Sequence, residues 1–219
     1  MSQVKAIRRM RIAIASAVIV VLLGGCEGSD ADGDTVTATP NPAEGALPWP
    51  RPAEPLELVE AAGLELDTRE HVDYHVHAHL EVFVNGQPVE VPAAIGIVIE
   101  DPAVKEFQSE FGTEYGGLDP EVGCENPCIS PLHTHAADGV LHTESKISSP
   151  NTLGQFFTQW GVALDTECVG GYCAPEETIQ VFVDGEPYEG NPADIELLDA
   201  REVVVVVGSP PAELSSELG

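Results

Sequence analysis

The chain has 219 residues, room for one domain or two small ones once an N-terminal segment is set aside, and its 43% hydrophobic content suffices for a core. All 37 acidic residues lie beyond residue 26 and four of the nine basic residues lie before it, so the remainder carries five basic against 37 acidic side chains, a formal −32. Such a field repels nucleic acid and anionic lipid headgroups, which excludes a nucleic-acid partner, and it concentrates cations, metal ions among them. An acidic coat that merely keeps an exported protein soluble is the competing explanation.

Lys5, Arg8, Arg9 and Arg11 precede an apolar stretch from Ile12 to Leu23, followed by Gly24-Gly25-Cys26. This is the layout of an export signal, and its apolar part falls short of the roughly 20 residues that span a bilayer as a helix. Leu23-Gly24-Gly25-Cys26 resembles the bacterial lipobox. That resemblance implies that residues 1–25 are a cleaved lipoprotein signal peptide, and that Cys26 becomes a lipid-bearing N-terminus on the outer face of the cell membrane. Acyl chains contribute about 0.8 kcal/mol per buried methylene, so a multiply acylated Cys26 is a firm anchor. An ordinary cleaved signal with a chance cysteine is the alternative.

Residues 26–55 are rich in Asp, Gly, Thr, Ala and Pro, the composition of a disordered acidic tether. A single domain is expected over 56–210, with a tail at 211–219. Leu56 to Ala62 suits a short helix. From His71 the chain alternates: Val72, Tyr74, Val76, Ala78, Leu80, Val82 and Val84 are apolar, and His71, Asp73, His75, His77, His79 and Glu81 fall between them. A period of two predicts a strand with one buried and one polar face. Asn85-Gly86 predicts a tight hairpin turn, with Val89 and Val91 on the returning strand. The pattern VFV[ND]GxP recurs at an offset of 99 residues, so His79 to Glu90 aligns without gaps on Thr178 to Glu189. Two related half-units and shared hairpin chemistry both account for it.

Asp101-Pro102 reads as a helix N-cap and first turn, with Val104, Phe107 and Phe111 at helical spacing and Gly112 as the stop. Residues 113–131 read as a disulfide-stapled loop. Asn151 to Trp160 is a further helix, with Leu153, Phe156, Phe157 and Trp160 on one face and Gly161 at its end. Five consecutive valines after Arg201-Glu202 predict a strand buried on both faces. The expected class is α+β, mainly antiparallel hairpins forming a sheet with two or three short helices.

With Cys26 given to the lipid, Cys124, Cys128, Cys168 and Cys173 form an even set in an oxidising compartment. Of the three possible pairings, the local pairs Cys124–Cys128 and Cys168–Cys173 are favoured, since each closes a short loop containing Gly or Pro. Thiolate metal ligation is the alternative, but the spacings are not those of a structural zinc knuckle.

All seven histidines fall between His71 and His79 or between His133 and His142. His75, His77 and His79 share a strand face, with alternate Cα atoms about 6.5–7 Å apart, so neighbouring imidazoles reach a common ion. His71 has the same parity but sits at the strand's start. In LHTHAADGVLHTE (132–144), a loop of two or of four residues around Asp138-Gly139 places His133, His135, His142 and Glu144 on one face. Imidazole is the common ligand of zinc, copper and nickel, and the chain beyond Met10 has no methionine to build a thioether Cu(I) site. Cu(II) or Zn(II) is therefore the expected cofactor, with His75, His77, His79, His133, His135 and His142 as ligands. Glu144, Asp73 and Glu81 are the candidates to hold the other ring nitrogens.

HTHAADG lacks the third histidine of the HxHxDH hydrolase motif, the cupin pattern fails at Ala137-Asp138-Gly139, and no GxSxG elbow, P-loop or dinucleotide fingerprint occurs. HxHxHLxVFVNG (75–86), LHTHxxDGVLHxE (132–144) and TLGQFFxxWG (152–161) together resemble a group of exported bacterial and archaeal proteins, over roughly residues 70–208. The resemblance implies a family and no chemistry, and the Cys124–Cys128 segment looks like an elaboration on it. The leading expectation is a lipid-anchored, extracytoplasmic binder of Cu(II) or Zn(II) for acquisition, buffering or sensing, without catalysis. The alternatives are a metal-dependent hydrolase or oxidase with Glu144 as general base, and a non-metal surface interaction module whose histidines are incidental or sense pH.

Overall fold

A computed structural model describes residues 49–118 and 122–212. The signal segment, Cys26, most of the tether and residues 213–219 of the tail lie outside the described residues. In chain order the elements are α1 (Pro55–Ala61), β1 (Tyr74–Val84), β2 (Gln87–Val89), β3 (Lys105–Ser109), β4 (Gly112–Gly116), β5 (Leu132–His133) and β6 (Val140–Ser145). They continue with α2 (Leu153–Trp160), β7 (Cys168–Val169), β8 (Tyr172–Cys173), β9 (Ile179–Val183), β10 (Glu186–Pro187), a 3-10 turn (Pro192–Asp194) and β11 (Arg201–Val207).

The expected alternation produces the longest strand, β1, although it begins at Tyr74 and Val72 is 72% exposed. Seven strands form the main sheet in the order β10-β9-β11-β1-β6-β5, with β2 also on β1. β1 is long enough to serve two neighbours along one edge: β6 pairs with Tyr74–His79 and β2 with Val82–Val84. Its other edge pairs with β11 in parallel, over Ala78–Val84. The remaining pairings in the sheet are antiparallel.

Ala78, Leu80, Val82 and Val84 face the principal core, where Leu153, Phe156, Phe157 and Trp160 of α2 cover them. The 3.6-residue period of α2 gives it that apolar face, and both ends are specified locally. Thr152 and Gln155 form a reciprocal capping box, and Gly161 closes the helix at φ 74°. Val203, Val205 and Val207 of β11 join the same core. Val204 and Val206 pack on the opposite face with Phe83 and Phe182, so β11 is buried on both sides as its composition requires. The core also reaches back into the segment assigned by composition to the tether. Trp49 is 2% exposed, packs edge-on to Trp160 at 5.8 Å, and accepts the Trp160 indole N–H on its carbonyl.

The repeated VFV[ND]GxP segments form matching hairpins. Val84 pairs with Gln87 and Val183 with Glu186, and Asn85-Gly86 and Asp184-Gly185 both occupy positive φ. The two hairpins flank β11, each turn residue donating its N–H to a β11 carbonyl: Asn85 to Val207 and Asp184 to Glu202.

One expected helix is absent. Asp101 does cap a single turn, accepting from the Ala103 N–H at 2.9 Å, but the chain then forms the β3–β4 hairpin with Glu110-Phe111 as its turn. Phe107 and Phe111 are 47% and 52% exposed, so a helix here would have had no core face to bury, and propensity alone does not hold a short helix in water. Residues 112–116, assigned to the loop and helix stop, are a strand whose backbone is used by the site described below. Both favoured cysteine pairs are bonded, Cys124 to Cys128 and Cys168 to Cys173.

Candidate metal centre

The β1–β6 register sets His77 opposite His142 and His75 opposite Glu144. The β5–β6 register sets His133 opposite His142, which is the arrangement expected for the four-residue loop Ala136 to Gly139. Directly opposed residues share a face, so three strands deliver their polar positions to one side of the sheet, away from the principal core. His142 is the middle member. Its ring stands edge-on to His77 and to His135 with centroids 4.5 Å apart in each case, and stacks on His133 at 5.5 Å.

Two pairs of imidazoles converge. His133 Nε2 lies 3.1 Å from His135 Nε2, and His75 Nε2 lies 2.9 Å from His77 Nε2. In the first pair the tautomers follow from the partners. His133 Nδ1 is 2.8 Å from the Ser130 carbonyl and His135 Nδ1 is 2.6 Å from the Tyr115 carbonyl; a carbonyl only accepts, so both Nδ1 atoms carry the proton and donate. Burial, and then the nearby charge of His135, holds His133 well below the ordinary imidazole range; burial, and then His142, lowers His135. Both rings are therefore neutral at pH 7, and each Nε2 is a bare lone pair aimed at the other. Two lone pairs in contact, one on a fully buried ring, repel unless a cation lies between them.

Glu144 supplies the negative charge. Its Oε1 lies 3.1 Å from His75 Nε2 and 3.5 Å from His142 Nδ1. Burial acts to raise its pKa, but the adjacent His142 imidazole, then those of His133, His75 and His135, outweigh this and bring it to about 2. It is a permanent carboxylate at neutral pH, suited to holding a cation. A general base works best with a pKa near the working pH, so this carboxylate is poorly placed to move protons.

The donor atoms of His133, His135, His142 and Glu144 lie within 4.8 Å of one another, and so do those of His75, His77, His142 and Glu144. Five of the six expected histidines are thus brought together. His79 is directed elsewhere: its Nε2 is 3.1 Å from the Asp138 carbonyl, where it latches the hairpin turn. His71 pairs with Asp67 at 3.2 Å. Asp73 is exposed just before β1, and Glu81 shares the histidine face but lies opposite Val204, further along the strand. Asp101 with Cys124 and Cys128 makes a third cluster of donor types, but both sulfurs are consumed by the disulfide.

Four contributors had no signal in the sequence. The Ser130 and Tyr115 carbonyls are backbone atoms. Asp199 accepts the His77 backbone N–H at 3.3 Å from 122 residues away. Glu70 has a buried Oε1 without a hydrogen-bond partner, and burial, then the charge of Glu144, raises its pKa.

The link from β4 to the site yields a direct test. Tyr115 N–H donates to the His135 carbonyl while His135 Nδ1–H donates to the Tyr115 carbonyl, and Gly116 next door sits at φ 137°. A Cβ at Gly116 would lie 2.4 Å from His135 Nδ1. Gly116→Ala is expected to displace that ring without deleting a ligand, weakening Zn(II) binding by about 10–100-fold, the cost typical of losing a ligand's orienting partner. Competition against a chromogenic chelator measures it, and an unchanged affinity would mean that His135 does not bind the ion. Comparison with protein-family models, with curated proteins and with solved structures finds no match to this chain.

Proposed function

We propose that this protein is a lipid-anchored, extracytoplasmic metal binder that takes up Cu(II) or Zn(II) through His75, His77, His133, His135, His142 and Glu144. The observation that carries the reading is the opposed lone pairs of His133 and His135, held by two carbonyls beside an ionised carboxylate. Nitrogen-rich ligation with one carboxylate suits the borderline ions Cu(II) and Zn(II), and the acidic surface raises their local concentration. The low pKa of Glu144 makes it a weak base, which favours a ligand's role over that of a general base. Acquisition, buffering or sensing at the outer face of the membrane is the role that fits a tethered binder, with Cys26 as the lipidated residue.

The test is metal analysis of full-length protein purified without a polyhistidine tag, followed by thermal melts with Cu(II) or Zn(II). An ion at 100 times its dissociation constant stabilises by about 2.7 kcal/mol, a rise in melting temperature of roughly 5–10 °C for a chain of this size. The His77→Ala/His135→Ala variant should lose most of that rise. Absence of bound metal, together with equal melts of both proteins with and without the ions, would remove the reading. For the anchor, Cys26→Ser should move the protein from the membrane fraction to the soluble exported fraction.

A further inference from the structure

The donor set exceeds the four positions of a tetrahedral ion, and its geometry divides. A zinc- or copper-type ion holds imidazole nitrogen at about 2.0–2.1 Å, so nitrogens 2.9 and 3.1 Å apart chelate one ion at angles of roughly 90–100°. Each of the two pairs can therefore chelate an ion by itself, with His142 or Glu144 to add further donors. Two donors on opposite sides of one such ion are separated by at most about 4.1 Å. The pairs His133/His135 and His75/His77 fall in separate sets, each with its donors within 4.8 Å of one another, and the sets share His142 and Glu144.

Resting on the metal-binding reading, we infer that the centre has two ion positions of unequal retention: an inner one at His133 and His135 that keeps its ion, and an outer one at His75 and His77 that exchanges its ion with solvent. His142 and Glu144 stand between them.

The asymmetry comes from burial and from what holds each ring. His133 is completely buried, and its N–H is fixed on the Ser130 carbonyl; the His135 N–H is fixed on the Tyr115 carbonyl. These rings are oriented before the ion arrives, and the ion would sit against a fully buried ring. The His75 side chain is 37% exposed and His77 is half-buried, both in the first residues of β1. Orienting partners of metal-bound histidines typically change affinity 10–100-fold, which sets the expected gap between the two positions.

Charge is consistent with two ions. Beside Glu144 lies the Glu70 carboxyl, with its Oε1 buried and without a hydrogen-bond partner. Together with Glu144 it gives the centre a second carboxyl group to set against a second cation.

The experiment is Zn(II) titration of full-length, metal-free protein in detergent, without a polyhistidine tag, read by chelator competition. Two equivalents are expected, with dissociation constants 10–100-fold apart, the weaker removed by a weak chelator. His75→Ala/His77→Ala should bind one equivalent with the tighter constant. His135→Ala, which leaves the buried His133 ring in place, should weaken the tight step and leave the weak one. One equivalent in the parent protein, two of equal affinity, or loss of both steps in His75→Ala/His77→Ala would each overturn the two-position inference while leaving metal binding intact. No bound zinc in any protein would overturn the parent reading as well.

Discussion

Replacing His133 by alanine is expected to be the most damaging single change at the site, lowering the stability of the metal-free protein by about 3 kcal/mol. The side chain is fully buried and its ring stacks on His142, so truncation leaves a cavity and strands the Ser130 carbonyl without its donor. Deletion of a buried ring costs about 3–5 kcal/mol in general, and imidazole is at the small end. Urea unfolding of the metal-free protein measures the loss. His75→Ala is the control: that ring is exposed, and its removal should change metal-free stability by no more than about 0.5 kcal/mol. Equal effects of the two substitutions would mean that His133 is not held as described.

Acidification should have the second largest effect, and its sign follows from the direction of the shifts. His133 and His135 have folded pKa values below 6.5, so between that value and their folded values the unfolded chain binds protons that the native state refuses. Stability is then fully present above about pH 6.5 and falls as the pH drops, by up to about 1.4 kcal/mol per pH unit for the fully buried His133, with a smaller share from His135. Glu144, at about 2 in the folded protein against 4.5 ordinarily, adds a further loss between about pH 4.5 and 2. Glu70 works in the opposite direction, because its raised pKa makes the ionised form the costly one; it regains stability as it protonates and offsets part of the loss. The metal-free melting temperature should therefore decline from pH 7.5 to 5.5. His133→Asn, whose amide can stand in for the Nδ1–H donor without titrating, should show a shallower decline. Parallel curves for the two proteins would show that His133 does not exclude the proton.

Metal binding should deepen this dependence, since an ion occupies the same lone pairs that protons would take. The proposed centre would hold its ion at neutral pH and yield it on acidification, the outer position first.

The features legible in the sequence are those fixed by neighbours in the chain. Alternation names the faces of β1, Asn85-Gly86 and Asp184-Gly185 dictate tight turns through positive φ, and Thr152, Gln155 and Gly161 delimit α2. Short cysteine separations favoured, for the same reason, the two pairs that the structure bonds. The parity of His75, His77, His133, His135, His142 and Glu144 could likewise be read, because a period of two survives any even-length loop.

Tertiary structure decided the rest. The segment at 101–112 has the spacing of a helix, but the fold leaves Phe107 and Phe111 exposed and pairs the chain as a hairpin, whose second strand meets His135 through Tyr115. Trp49 belongs to the core only because Trp160 and Tyr172 form its pocket. His79 matches His75 and His77 in every local respect, yet its strand partner is Val140 and the turn carbonyl of Asp138 claims its ring. The sequence thus determined which side chains face the same way, a property of backbone geometry over a few residues. Which of them meet, and which nitrogen each presents, was decided by strand register and by carbonyls such as those of Ser130 and Tyr115, whose positions depend on the whole fold.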